Sequence, residues 1–182
     1  MSQLKVNSIV PTGGLDTGAF GVIIQIVPAF TTSSTSVSSS TPVAINGLSV
    51  TIKPSSTNSK FLIMASMTVG HGNTETAVLL DLMRNGTKIA QGTDSLYPCT
   101  SLLHFGAEVS GVFNYSYQHV DTSVNVDSNL SDITYSYQFA TSGQGTAKIN
   151  QRGNGTDLTS TANLIVCEVS GWVHYLSILL KV

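Results

Sequence analysis

The sequence predicts an all-β protein, a two-sheet antiparallel sandwich of jelly-roll type. Apolar and polar residues alternate along most of the chain, and each alternating run ends in Ser, Thr, Pro or Gly. Apolar residues do not recur with helical spacing over three turns. About nine short strands separated by such turns are typical of sandwiches and jelly rolls.

The composition favours a structural or binding role. Ser and Thr fill 25 and 21 of the 182 positions, whereas the charged residues number 8 basic and 10 acidic. Globular domains usually carry about a quarter charged residues, so this chain must stay in solution through hydroxyls, amides and surface buried in a complex. Lys and Arg are scattered singly, which predicts no nucleic-acid partner.

Two regions are expected, an attachment arm at residues 1–20 and a sandwich domain at 21–182. The arm places short apolar pairs among glycines, and these pairs cannot bury themselves alone. We therefore expect the arm to be extended and to dock on another protein. Its docking residues are predicted to be Leu4, Val6, Ile9, Val10 and Leu15.

Period-2 alternation defines the first strands of the body. The apolar positions are Val22, Ile24 and Ile26, then Leu48, Val50 and Ile52, then Phe61, Ile63, Ala65 and Met67. The Ser/Thr-rich run 31–41 between two of these strands fits an exposed loop or a disordered linker. Asn85-Gly86 between apolar runs predicts a two-residue type I′ hairpin.

The tetrapeptide Tyr-Ser-Tyr-Gln occurs at 115–118 and again at 135–138. If the two strands pair, their tyrosines form a cross-strand ladder. We favour packing in the core or between subunits for this ladder. Glycan contact is the alternative, because Tyr rings stack on sugars. The candidate glycan contacts are Tyr97, Tyr115 and Tyr117, together with Arg152 and Asp157 in a loop.

The last strands predict an oligomer. After a strand at 162–169, residues 172–182 are apolar on both faces, which indicates burial on both sides. The predicted oligomer-packing residues are Trp172, Tyr175, Leu176, Ile178 and Leu180. Open sandwich edges invite aggregation, and a closed oligomer would protect them.

Patterns for catalysis, cofactors and metals are weak. His119 and Asp121 share a strand face near Asp127 and Asp132, yet their spacing matches no metal motif, so a solvated acidic loop is favoured. His71 and Glu75 could be considered as an acid/base pair, but the residues between them are typical of a loop that connects two strands, so we do not favour catalysis there. We expect no enzyme activity, no cofactor and no metal. Cys99 and Cys167 are expected to be reduced.

Several segments resemble virion proteins of tailed bacteriophages, especially cyanophages and marine phages. The segment Ser2-Gln-Leu-Lys-Val-Asn-Ser-Ile-Val-Pro-Thr-Gly-Gly-Leu15 resembles their N-terminal opening. Ser59–Ile63, Leu82–Ile89 and Ala147–Arg152 resemble motifs of small β-rich phage fibre domains. The resemblance implies a homotrimer whose arm anchors it to other virion proteins.

The leading interpretation is therefore a non-enzymatic tail fibre or fibre-tip protein that binds host-surface glycan. The alternative is a capsid decoration, or cement, protein that stabilises the head through its arm. No signal peptide or membrane-length apolar segment is evident, so we expect synthesis in the host cytoplasm, no membrane insertion and exposure on the virion.

Overall fold

The computed structural model describes residues 22–72, 76–93, 96–106, 111–143, 145–156 and 159–169. These residues form β-strands and connections, with no helix among them. Two predicted regions, the arm at 1–20 and the apolar segment at 172–182, lie outside the described residues. The strands are β1 (Ile23–Thr31), β2 (Thr35–Val37), β3 (Val43–Ile52), β4 (Lys60–His71), β5 (Thr76–Arg84), β6 (Thr87–Ile89), β7 (Ser101–Phe105), β8 (Val112–Asp121), β9 (Ile133–Thr141), β10 (Ala147–Ile149) and β11 (Ala162–Val169).

The strands form two antiparallel sheets packed face to face. In the first sheet the long strands follow the order β1-β11-β4-β8, and the short strands β2 and β10 extend the far end of β4. In the second sheet the order is β3-β9-β5, with β6 and β7 sharing the free edge of β5. The chain crosses from one sheet to the other at most connections, so the described part is a jelly roll, as the sequence predicts.

Alternating side chains from both sheets fill the space between them. Val50 and Ile52 of β3 and Phe61 and Ile63 of β4 are buried, at the positions that the period-2 pattern predicts. Tyr135, Tyr137 and Phe139 of β9 are among the largest fully buried side chains, together with Phe61 of β4 and Phe105 of β7. β9 therefore lies at the centre of the second sheet and supplies most of its aromatic core.

The Asn-Gly hairpin is confirmed. Arg84 pairs with Thr87 across the turn, so Asn85 and Gly86 are its two central residues. Their φ angles are +48° and +79°, the signs that a type I′ turn requires. The Asn85 side chain also accepts a 2.7 Å hydrogen bond from the amide of Thr134, which ties the turn to β9.

The two Tyr-Ser-Tyr-Gln strands do not pair, so the expected cross-strand ladder is wrong. β8 pairs with β4 in the first sheet, and β9 pairs with β3 and β5 in the second. The repeats face each other across the sandwich, where the rings of Tyr115 and Tyr137 meet edge to face at 6.1 Å. The Ser/Thr-rich run also differs from both expectations, because it contains the short strand β2.

Two glycines allow the loop after β10 to lie against the end of β4. A Cβ atom on Gly153 would lie 2.1 Å from the carbonyl carbon of His71, and one on Gly70 would lie 2.3 Å from the carbonyl oxygen of Gln151. Both distances are far below a van der Waals contact, and the obstructing atoms are backbone. The loop can therefore pack here only because these two positions lack a side chain.

We expect Gly153→Ala to destabilise the protein by about 3 kcal/mol, because the new methyl group would force two backbone segments apart. Gly106→Ala is the matched control, since a Cβ there meets nothing within 4 Å. Chemical denaturation followed by fluorescence would measure both. Equal stabilities for the two variants would contradict the close packing of this loop.

Candidate functional site

Asp121 is a buried carboxylate that joins the two sheets. It lies at the end of β8 and is inaccessible to solvent. The guanidinium of Arg84 on β5 donates to both of its oxygens, at 2.8 and 2.6 Å. The hydroxyl of Tyr135 on β9 donates to one of them at 2.9 Å, and Ser123 completes the shell. One first-sheet side chain is thus bound to two second-sheet strands.

The pKa values at Asp121 follow from these contacts. Burial alone would raise the pKa of Asp121, but the hydrogen bonds from Arg84, Tyr135 and Ser123 outweigh it and lower the pKa below its ordinary value. Burial and the negative charge of Asp121 raise the pKa of Tyr135, so its hydroxyl stays protonated and donates. Asp121 is therefore held ionised by structural partners and is not available as a proton donor near neutral pH.

Glu168 on β11 is a second buried carboxylate that joins different segments of the chain. Its carboxylate accepts hydrogen bonds from the backbone amide and hydroxyl of Ser55, both at 2.7 Å, and from the hydroxyl of Ser59 and the amide of Gln25. Burial raises the pKa of Glu168, but these hydrogen bonds outweigh it and lower the pKa overall. Glu168 fixes the connection between β3 and β4 against β11 and β1.

A row of aromatic rings follows the inward face of β8. Tyr115 stacks near Tyr117 with ring centroids 6.3 Å apart, and Tyr117 stacks near His119 at 6.4 Å. Phe113 meets Phe105 of β7 edge to face at 4.7 Å. Tyr115 is buried and bonds Ser101, so it packs in the core. Tyr117 is half-buried, since β8 is an edge strand.

A groove of about 450 Å³ lies on the outer face of the second sheet. Tyr97 and Pro98 form one wall, Leu79 and Asp81 of β5 contribute to the floor, and Pro42 and Lys88 also line it. Tyr97 keeps 38% of its surface exposed. The volume falls within the range of about 300 to 1,000 Å³ that small-molecule sites occupy.

The charged residues of the groove neutralise each other. Asp81 is almost completely buried, and its carboxylate forms a 2.8 Å ion pair with the Lys88 ammonium. The side-chain amides of Gln138 and Gln91 donate to the same carboxylate, at 3.2 and 3.4 Å. Gln91 also donates to the Pro98 carbonyl at 3.0 Å, which holds the Tyr97 segment in place. The groove thus combines an exposed ring with a neutral, hydrogen-bonded polar floor.

The structure separates the candidate glycan contacts that the sequence suggests. Tyr97 lines the groove on the second sheet, whereas Tyr115 and Tyr117 lie along β8 of the first sheet. Arg152 is half-buried in the loop after β10. Asp157, the arm residues Leu4 to Leu15 and the predicted oligomer residues Trp172 to Leu180 lie outside the described residues. Tyr115 and Tyr117 lie next to each other on β8, with their rings stacked.

Sequence reasoning missed the groove residues Asp81, Lys88 and Pro98. The available signal was a single acidic residue in the otherwise apolar run of β5, with a basic residue just beyond the hairpin. A buried charge of that kind needs a partner, and the hairpin brings Lys88 beside Met83, close enough to reach Asp81.

Three of the candidate metal and acid/base residues have other partners, and Glu75 lies outside the described residues. Asp121 is bound by Arg84, and Asp127 accepts hydrogen bonds from the amide and hydroxyl of Ser131. The His71 ring is buried between the sheets and hydrogen-bonds Thr76 and Thr141. Across the described ranges, no group of three His, Cys, Asp or Glu side chains is placed to hold a metal ion. Cys99 and Cys167 are both buried.

Comparison with known proteins finds one weak structural similarity and no related family. No family model matches the chain, and no curated protein matches it either. Among solved structures, the chain is similar to a mutant VP2 protein of infectious bursal disease virus in derived T=1 particles, with a TM-score of 0.37 and 10% identity. The match covers 91% of this chain and 42% of VP2, so the chain spans less than half of that protein's length. We carry no property of VP2 over to this chain.

The described residues include no helix long and apolar enough to cross a membrane.

We expect Asp121→Asn to lower the free energy of unfolding at pH 7 by about 3 kcal/mol, because it leaves the Arg84 charge partly buried without its counterion. The Asp121 pKa is lowered from 3.8 in the folded state. Its stabilisation is therefore complete above about pH 5 and is lost as the pH falls below 4 towards the folded-state value.

Thermal unfolding of wild type and variant between pH 2.5 and 7 would test this pair. The stability of Asp121→Asn should depend less on pH than that of wild type below pH 4, while Glu168 maintains part of the slope. Asp132→Asn is the control, because Asp132 is an exposed carboxylate on the same connection between β8 and β9. The same acid dependence in wild type and Asp121→Asn would contradict the assignment.

Proposed function

We propose that this chain is a non-enzymatic structural protein of a tailed-bacteriophage virion, and that its sandwich is the host-contacting domain of a trimeric tail fibre or fibre tip. Three features support the proposal: the jelly-roll fold, the N-terminal resemblance to phage virion proteins, and a surface groove suited to a sugar. The groove carries the host-contact part of the argument.

The chemistry of the groove fits a neutral saccharide. A sugar ring presents an apolar C–H face and several hydroxyls, and the exposed ring of Tyr97 offers a surface for the apolar face. The Lys88 ammonium and the amides of Gln138 and Gln91 supply donors near the floor. Because the Asp81–Lys88 pair cancels its own charge, the groove has no excess charge to favour an ionic ligand.

The buried carboxylates support a non-enzymatic role. Asp81, Asp121 and Glu168 each accept several hydrogen bonds from side chains that connect different strands or loops. Glycosidases use a pair of carboxylates about 5 to 10 Å apart that flank an accessible sugar. Here each of the three carboxylates is buried and held by its own partners, which is the behaviour of structural groups.

A trimer would strengthen weak sugar contacts. A single shallow groove binds weakly, but several copies on one fibre act together, and avidity can exceed single-site affinity by about 100-fold or more. In this proposal the arm, through Leu4, Val6, Ile9, Val10 and Leu15, anchors the trimer to other virion proteins. The alternative is capsid decoration, in which the arm clamps the head and the groove needs no ligand.

Tyr97→Ala in the full-length protein should weaken binding to neutral bacterial oligosaccharides on a glycan array by about tenfold, as expected when one ring contact is lost. Tyr117→Ala is the control, because Tyr117 lies on β8 and does not line the groove. Loss of binding in Tyr117→Ala or Arg152→Ala, with Tyr97→Ala unchanged, would move the glycan site to the other predicted residues. No binding by wild type would contradict a glycan-binding fibre.

Val6→Asp with Ile9→Asp should abolish incorporation into particles, since two charges would oppose docking of the apolar arm. Ser8→Asp, at a polar position between them, should be incorporated normally. Complementation followed by immunoblotting of purified virions would measure this. Incorporation of the double variant at the wild-type level would contradict the proposal that the arm anchors the protein to the particle.

Gold-labelled antibody against residues 21–182 would locate the protein on purified virions. Label at the tail is the expected result. Label distributed over the head would contradict the fibre assignment and support the decoration alternative, for which capsid stability without the protein is the next measurement.

A further inference from the structure

The outward face of the first sheet is unusually apolar for an exposed surface. In antiparallel sheets, directly paired residues point to the same face, so the strand register defines lateral rows across β1, β11, β4 and β8. One row is entirely apolar, and consists of Ile26, Cys167, Leu62 and Val120. The next consists of Pro28, Ile165, Met64 and Gln118, and the third of Phe30, Asn163, Ser66 and Ser116.

The ends of these rows are strongly exposed. Ile26 and Phe30 on β1 keep 59% and 61% of their surface accessible, and Val120 on β8 keeps 51%. Burial raises the pKa of the Cys167 thiol between them, so this thiol contributes to the row as a neutral group. Contiguous apolar patches of this kind on a soluble protein mark an interaction surface.

The face also carries no charge over its main extent. From Leu62 to Gly70 on β4, and at the positions paired with them on β1, β11 and β8, the outward side chains are apolar, hydroxyl or amide. Lys60 and Lys148 mark its two ends, where they donate to the carbonyls of Thr122 and Gly155. A charged partner would find no complementary groups on this surface.

The polar part of the face can pair with itself. Ser66, Ser116, Gln118, Asn114 and Asn163 carry hydroxyls or amides, and each such group both donates and accepts hydrogen bonds. Neighbouring copies arranged around a common axis can therefore satisfy each other's polar groups while their apolar rows come together. No ion would be buried in that contact, which avoids the main desolvation cost of association.

The size of the face determines how much of it a contact must use. β11 pairs with β4 only from Lys60 to Ser66, so four strands spaced about 4.8 Å apart, at about 3.3 Å per residue, give a flat area of about 440 Å². Stable interfaces take about 800 Å² from each partner, so a contact between copies would use the whole of this face together with the adjoining short strands β2 and β10. In the described part of the chain, β1 and β8 are also the outer strands of this sheet, and a closed ring of copies would shield their edges.

We propose that copies of this chain associate through the outward face of the first sheet, centred on the row from Ile26 to Val120. This inference rests on one part of the proposed function, the trimer. It identifies the surface through which the copies of that trimer would bind each other. It differs from the sequence-based expectation, which assigned oligomer packing to residues 172–180. The groove of Tyr97 lies on the outer face of the other sheet, so the two surfaces do not compete.

Light scattering after size exclusion of the full-length protein tests the proposal. Each chain has a mass of 19.1 kDa, so a trimer would have a mass of about 57 kDa. Ile26→Lys and Val120→Lys place a charge at either end of the apolar row, at exposed positions where a monomer tolerates it. Each should weaken self-association by about 100-fold, because the charge would be buried without a partner.

Leu102→Lys is the matched control, because Leu102 is 49% exposed on the outer face of the second sheet. This variant should remain oligomeric. Circular dichroism and thermal melting confirm that each variant is folded, and agreement between Ile26→Lys and Val120→Lys, which alter different strands, excludes a local folding defect as the cause.

Two results would overturn the inference. If wild type is oligomeric and both face variants remain so, while Leu176→Lys with Ile178→Lys dissociates it, the C-terminal segment holds the oligomer and the proposed trimer stands. If wild type is a monomer, both the face and the trimer are wrong. Glycan binding through Tyr97 is measured separately and is unaffected by either result.

Discussion

The placement of β8 depends on a set of contacts that cross the sandwich, and the ion pair between Asp121 and Arg84 is the strongest of them. Among the described strands, β8 pairs with β4 alone, so its backbone hydrogen bonds would hold it on one side only. Asp121 binds the second sheet at one end of the strand, Tyr115 meets Tyr137 near the middle, and Phe113 meets Phe105 at the other end. These contacts keep the inward face of β8 against the second sheet, and its outward face therefore extends the surface formed by β1, β11 and β4.

The two sheets carry different surfaces on their outer sides. Between Lys60 and Lys148, the outer side of the first sheet carries apolar, hydroxyl and amide side chains without charge, which suits the proposed contact between copies. The outer side of the second sheet has a groove whose one buried acid is neutralised locally by Lys88 and two glutamine amides. This division allows an oligomer to form through one sheet while the other stays turned towards solvent, so each copy can present its own groove.

Features that depend on neighbouring residues were predictable from the sequence. The Asn85-Gly86 turn and the buried positions of β3 and β4 follow from local conformational preference and period-2 alternation, and the structure confirms them. Strand partners were not predictable, because the repeated Tyr-Ser-Tyr-Gln segments have equal local preference for pairing and for facing each other. Their placement is decided by connections between sheets. The groove has the same origin, since the sequence named Tyr97 as a candidate glycan contact, but Asp81 and Pro98 come beside it only through the fold.

The pairing of β1 with β11 has a consequence for how the protein is made. Ile23 lies beside Val169, so the first described strand finds its neighbour among the last residues of the described chain. Contacts between residues so distant in sequence form slowly, since the entropy of closing a long loop is lost before the contact is gained. During synthesis β1 has no partner strand until β11 has emerged from the ribosome. The first sheet is thus completed late, and the nascent chain is most prone to aggregation while β1 is unpaired.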